Sequence, residues 1–503
     1  MKNRVKHTLP GLWLTVLFLT VFGCKSLEEE PDFISPGSFY STSADALAAL
    51  NGAYKELNGE WFNHTYNRSV FDCLLGMQSG YEKGPQYFQQ GGYVASDDYI
   101  STYWAQNYRG INRCNIVLEK VPAIKMDEAL KKRVLAEAHF LRAFYYYTLV
   151  IYYDNIPVSE KPTRQIGEYI SNENGKQKAL DLIAKDLAVA ETDLEASYTG
   201  NDLGRPTKWT AKALLAKSYL ESGSWQLAAD KAKEVMDQSN ITLFPDFADN
   251  FRISAKNRNE RMFEVQVSYA ANPGVNQNLH AHFTPTDWDG GDGVTPGDNS
   301  TAAGWADAWI VGAVPLRQSF DPTDKRIPAT FLDKYRSKNA KGEVVTFDPN
   351  AKSLFVAPGS PERTFRNVYF AKYIEQNIGN WDRTEKNIPL IRYADVLLTH
   401  SEAVSEGATG DAYRGINLIR NRAGLAPLSG LSQTALRDAI LNEWLKEFAG
   451  EGWAFPHVKR KGKVAQFIKQ YTGRDVDNAK FSVLPIPLVE INTNSNVKQN
   501  QGW

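Results

Sequence analysis

The chain is poor in cysteine, histidine and methionine, with 3, 7 and 5 among 503 residues. Three cysteines do not make a disulfide framework, so the fold must rest on its own apolar core. An excess of one charge is also missing. Lys and Arg number 57 against 58 Asp and Glu, a formal net charge of -1, which leaves no basic footprint of the kind nucleic-acid binding requires. No apolar run reaches the roughly 20 residues of a membrane-spanning helix. A Gly-x-Ser-x-Gly elbow, a P-loop and a dinucleotide fingerprint are absent too. Apolar residues, by contrast, make up 43% of the chain, ample for a core, and aromatics are in excess: 12 Trp, 24 Tyr and 24 Phe. In a core these rings pack; in loops they offer flat, amphipathic faces to a ligand.

The longest uncharged apolar stretch, Leu9 to Phe22, follows Lys2, Arg4 and Lys6 and runs into Gly23-Cys24. It has the layout of a cleavable signal, residues 1–23, with Cys24 as the lipidated first residue of the mature chain. Each buried acyl methylene contributes about 0.8 kcal/mol, so two or three chains on Cys24 anchor stably without a transmembrane helix. Residues 24–36, with the acidic run Glu28-Glu29-Glu30-Pro31, read as a tether that holds a folded body off the membrane. These features describe a bacterial surface lipoprotein. The remaining Cys73 and Cys114 are expected to be buried free thiols.

Helical periodicity organises much of the rest. Val134, Leu135, Ala138, Leu141, Phe144, Tyr145 and Leu149 follow one helical face, as do Leu180, Ile183, Leu187 and Ala190. Thr210 to Met236 reads as helix, turn at Gly223, helix, with small residues (Ala216, Ala228, Ala232) spaced as in a tetratricopeptide unit. A further pair runs from Ile391 through Glu406 and from Ala412 to Ala423, and Leu436 to Phe448 forms another apolar face. Such units bury their faces only by stacking, so the expected fold is mainly α, a superhelical scaffold of tetratricopeptide-like helix pairs. Between the helical blocks, 272–317 and 340–366 are long and rich in Gly, Asp, Asn and Pro, and loops of that length in a compact protein are functional or disordered.

Segments along nearly the whole chain resemble the SusD/RagB family of nutrient-binding outer-membrane lipoproteins. They include Ala49-Leu50-Asn51-Gly52-Ala53-Tyr54, then Trp104 with Tyr108, Ile111, Asn112 and Asn115, and Glu137-Ala138-His139-Phe140-Leu141-Arg142-Ala143 followed by Asn155-Ile156-Pro157-Val158. Phe263-Glu264-Val265-Gln266 resembles the family's short strand. Arg392-Tyr393-Ala394-Asp395-Val396-Leu397-Leu398, Arg420-Asn421-Arg422-Ala423-Gly424-Leu425, Glu443, Glu447-Phe448 and the closing Asn500-Gln501-Gly502-Trp503 follow in the family's order. The resemblance implies a helical N-terminal region, 37–260, and a C-terminal region, 261–503, carrying ligand-binding loops. It also implies an outer-membrane protein facing the cell exterior, which captures oligosaccharide and passes it to a partner SusC-like TonB-dependent transporter.

A site for a neutral, polyhydroxylated ligand needs flat apolar faces and a few polar groups. Two aromatic clusters without helical period meet that need. One comprises Asp287, Trp288, Asp289, Trp305, Asp307 and Trp309; the other includes Arg68, Tyr81, Tyr93 and Asp97. They are expected to face each other as two walls, with Trp288, Trp305 and Trp309 opposite Tyr81 and Tyr93. Trp104, Trp209 and Trp444, on helix faces with apolar neighbours, are expected in the core. His280-x-His282 is weak as a metal pair, and the aspartates of 287–298 lack the calcium-loop pattern, so no cofactor is expected beyond an adventitious calcium ion. Without a catalytic constellation the chain reads as a binding protein rather than an enzyme. A surface glycoside hydrolase and a helical protein-interaction adaptor are the alternatives.

Overall fold

The computed structural model describes residues 39–58, 64–80, 83–165, 167–268, 279–288, 307–375 and 384–503. The signal segment, Cys24 and the tether lie outside them, as do Tyr81, Asp289 and Trp305. The described chain is mainly helical. Helix α1 (Ser43–Lys55) opens on a capping box in which the Thr42 hydroxyl and the Asp45 carboxylate each satisfy a backbone N–H of the other. It packs on α4 (Asp98–Lys120) and α5 (Glu128–Tyr153), with α2 (His64–Asp72) and α3 (Lys83–Gln90) in the connection. Helix α5 then pairs with α6 (Gly175–Asp193), which packs on α7 (Lys208–Glu221). The expected helix–turn–helix is α7 and α8 (Trp225–Gln238), and both pack against α9 (Tyr393–Glu406), whose own partner is α10 (Tyr413–Arg422). Helices α11 (Gln433–Glu447) and α12 (Ala454–Arg460) continue the stack.

Two differences from the periodic reading have physical causes. Helix α5 is not amphipathic in its second half: Phe140 to Tyr153 are almost all buried, because rings and aliphatic residues occur all round and the helix runs through the middle of the core. The segment read as helix from Ile391 begins instead as strand β7 (Ile388–Arg392), antiparallel to β2 (Arg261–Val265). Both strands are buried along their whole length, so they show no alternation. Helix α9 starts at Tyr393, where the Asp395 carboxylate accepts the Arg392 N–H at 2.8 Å.

One apolar core runs from Ala46 to Val497, so the regions before and after residue 260 share it. Cys73 and Cys114 are buried free thiols within it. Trp104, Trp209 and Trp444 are buried as well, and the Trp444 indole N–H donates to Glu402 at 2.8 Å. A smaller core lies under the long loops. There β4 (Lys334–Ser337), β5 (Glu343–Phe347) and β6 (Thr364–Phe365) form a three-stranded sheet. Around it pack Trp288, Val311, Tyr335, Val345, Val356 and Tyr369.

Candidate functional site

The two aromatic stretches singled out in the sequence meet in space. Strand β1 (Gln78–Ser79) pairs antiparallel with β3 (Val311–Gly312), placing Ser79 opposite Val311. Gly80 continues this approach: a Cβ there would lie 1.7 Å from the Trp309 carbonyl oxygen, so only glycine fits. On the other side a short helix, Leu279–Phe283, accepts two N–H groups from the segment around Trp309 that leads into β3. Asp307 donates to the Ala281 carbonyl at 3.1 Å and Ile310 to that of His282 at 2.9 Å.

These backbone contacts set three rings together. The His282 imidazole stacks on the Trp309 indole, centroids 4.5 Å apart and planes 16° from parallel. The Tyr66 ring, from α2, lies 4.4 Å from His282 and 5.9 Å from Trp309. The Asp307 carboxylate orients the imidazole, 3.0 Å from His282 Nδ1, and also accepts the Trp309 backbone N–H at 3.2 Å. His282 Nε2 is buried and has no hydrogen-bond partner among the described residues. Burial, with Tyr99 beside it, pushes the Tyr66 phenol well above its ordinary range, so it stays protonated. The arrangement is a half-buried indole backed by the His282 imidazole, with Tyr66 beside the pair and the Asp307 carboxylate at the imidazole's edge. Stacking on a flat C–H surface and hydrogen bonding to a hydroxyl are what it can do.

Several expected ligand residues have other tasks. Trp288 is 1% exposed and belongs to the smaller core, so it is a packing residue. Asp287 beside it is committed inside the protein, its carboxylate accepting from the Tyr335 hydroxyl at 2.8 Å and from Ser337. Tyr93 is 2% exposed, stacked on Phe88 at 4.6 Å and against Trp503 at 4.8 Å. It therefore closes the C-terminal end of the chain and does not form a wall. Arg68 is fully buried, its guanidinium 4.0 Å from the Trp453 ring centroid. Asp97 holds the turn ahead of α4 by accepting the Val94 N–H at 2.7 Å. Of the ten residues named in the two clusters, the described structure places Asp307 and Trp309 at the meeting of the two stretches.

In the sequence His282 stands out only as half of a weak metal pair, His280-x-His282. The two histidines of that pair serve different neighbours: His280 Nδ1 accepts the Glu375 N–H at 2.8 Å, and burial holds its pKa down to about 3. Among the described residues no group of three or more His, Cys, Asp and Glu side chains is arranged to hold a metal ion. Nothing in the spacing of His282 signals its stacking, since that depends on which strand the loop pairs with.

The SusD family profile matches residues 252–503, half of the chain. The chain belongs to the SusD family. A second profile, described as starch-binding and associating with the outer membrane, matches residues 27–220. A SusD-like protein of Formosa agariphila is 29% identical over 519 residues, covering 96% of this chain and 97% of that protein. The starch-binding protein SusD of Bacteroides thetaiotaomicron is 22% identical over 435 residues, covering 78% and 76%. Among solved structures, a laminarin-binding SusD-like protein superposes with a TM-score of 0.75 at 24% identity, covering 92% of this chain and all of the other. The helix-pair scaffold described above is thus the SusD fold, and the family to which the chain belongs is one of carbohydrate-binding proteins associated with the outer membrane.

Proposed function

We propose that this SusD-family protein is a lipid-anchored, non-catalytic receptor on the cell exterior. It captures an oligosaccharide on the Trp309 face and delivers it to a partner SusC-like TonB-dependent transporter. The observation that carries the reading is the stacked Trp309–His282 pair with Tyr66 alongside and Asp307 at its edge, a geometry suited to a sugar ring. The laminarin-binding and starch-binding relatives support a glycan over other nutrients. Anchoring through Cys24 follows from the signal-like segment before it, and the transporter from the family.

Three measurements test the parts separately. A glycan array probed with the protein should return one class of oligosaccharide, with laminarin and starch fragments as the first panel. Long incubation with the bound glycan should leave its length unchanged; shorter products would make the protein a hydrolase. Cys24→Ala should move the protein out of the membrane fraction in cells lacking the transporter, with unaltered melting, and a variant that stays in membranes contradicts lipid anchoring.

A further inference from the structure

The chain enters the described body at Phe39, and the residues there line a cavity of about 620 Å³. Its apolar walls are Phe39, Tyr40, Ile116 of α4 and Pro162, all four half-buried. The Phe39 and Tyr40 rings stand edge to face, centroids 4.5 Å apart. Tyr40 has a φ of +72°, in the left-handed region that a bulky side chain enters only in a turn, so the direction in which the chain reaches the body is set at the cavity wall. The charges at the rim are paired with one another. Glu119 meets Arg164 at 2.7 Å and Lys120 at 3.1 Å, and Glu168 accepts the Arg164 N–H at 3.1 Å. Nothing among these residues selects a charged ligand, and the surface still open to contact is apolar.

One segment of this chain is fixed beside that surface. Residues 24–38 come before Phe39, outside the described residues, and Phe33-Ile34 is their one pair of adjacent large apolar side chains. Ser35 to Ser38 join Ile34 to Phe39, with Pro36-Gly37 among them as a turn signal. A turn there carries Phe33 and Ile34 back toward the rings of Phe39 and Tyr40. A link that short also keeps their effective concentration at the cavity on the order of millimolar, so a modest apolar contact is enough to hold them. A separate partner has no such advantage.

We infer that this cavity is the seat of Phe33 and Ile34, so that the end of the tether is strapped to the body it carries. The consequence for reach rests on Cys24 being the membrane anchor, as in the reading above; the docking itself does not. With the strap in place the free tether shortens from 24–38 to 24–32, and its fully extended reach falls from about 50 Å to about 30 Å at about 3.4 Å per residue. The test is the rate of disulfide formation between Ser35→Cys and Thr163→Cys, the second on the cavity wall and exposed. It is measured on the purified full-length protein, held in amphipol without free detergent, by mass spectrometry of the joined peptides. The pair should close at least about tenfold faster than the same pair carrying Phe33→Ser and Ile34→Ser, changes that leave every residue of the body in place. Ile116→Asp, which puts a charge on the wall, should slow closure as much, and laminarin or starch fragments should not slow it. No closure, closure at a rate that survives both sets of changes, or slowing by either glycan overturns the inference. Closure that depends on Phe33 and Ile34 in a protein whose Cys24 carries no acyl chain upholds the docking and defeats the anchor reading instead.

Discussion

Trp288 and Trp309 sit in similar Asp- and Gly-rich surroundings in the sequence and part company in the fold. The first is held among Ala308, Val311, Leu332 and Tyr335; the second is half-buried against His282. Trp288→Ala should therefore lower folding stability by about 3 to 5 kcal/mol, as for truncation of a core aromatic, and should bring forward thermal unfolding measured by calorimetry. A Trp288→Ala variant that melts like wild type would contradict the packing role. This distinction was not legible in the sequence, because burial and ligand stacking select the same residue types. What separates them is the pairing of β1 with β3, two residues each, too short to leave a pattern. Tyr93 shows the same limit: Phe88 is its near neighbour in sequence, but Trp503 reaches it from the C-terminus.

Helices were far more legible than strands. The 3.6-residue period located α6, α8, α10 and α11 closely because each has an apolar stripe and a polar side, whereas α7, buried nearly all round, was marked by its small residues and by the turn at Gly223. It failed at β7, whose five buried residues run straight into α9 and cannot be told by period from a helix's first turn. The pairing of α9 with α10 has a steric condition of its own. A Cβ on Gly415 would lie 2.0 Å from the Leu397 carbonyl oxygen, so the two helix backbones touch there. Gly415→Ala should push them apart and cost about 1 to 3 kcal/mol as an overpacked contact, read as a lower urea midpoint at unchanged slope. Unchanged stability would mean that the pair is looser than this contact implies.

Across the whole molecule, the family's C-terminal motif residues form a buried charge network that ties its parts together. Arg392 reaches Glu260, Glu447 and Glu451 at 2.8 to 2.9 Å, Arg422 bridges Glu260 and Glu447, and Arg326 joins Glu447 to Asp324 and Glu443. Burial alone would raise the Glu447 pKa, but Arg422, Arg392 and Arg326 outweigh it and hold the carboxyl far below its ordinary 4.5. The folded state thus keeps Glu447 ionised where the unfolded chain takes up a proton, so this contribution is complete above about pH 4.5 and drains away as pH falls. His64 and His280, held neutral by burial with pKa values of about 3, start the decline earlier, below their ordinary 6.5. Urea midpoints from pH 7 to pH 3 should fall throughout and steepen below about 4.5. Glu447→Gln should flatten the lower part while costing about 3 to 5 kcal/mol at pH 7, because it strands buried guanidinium groups. An acid slope identical to that of wild type would show that the network does not carry it.

The most direct test of the receptor reading is calorimetric titration of wild type and Trp309→Ala with the glycan that the array selects. A stacked aromatic contributes a kcal/mol or two, so the variant should bind about tenfold more weakly or worse, with nearly the same melting temperature. An array that returns no glycan, or a Trp309→Ala protein that binds the selected glycan as tightly as wild type, would contradict the account.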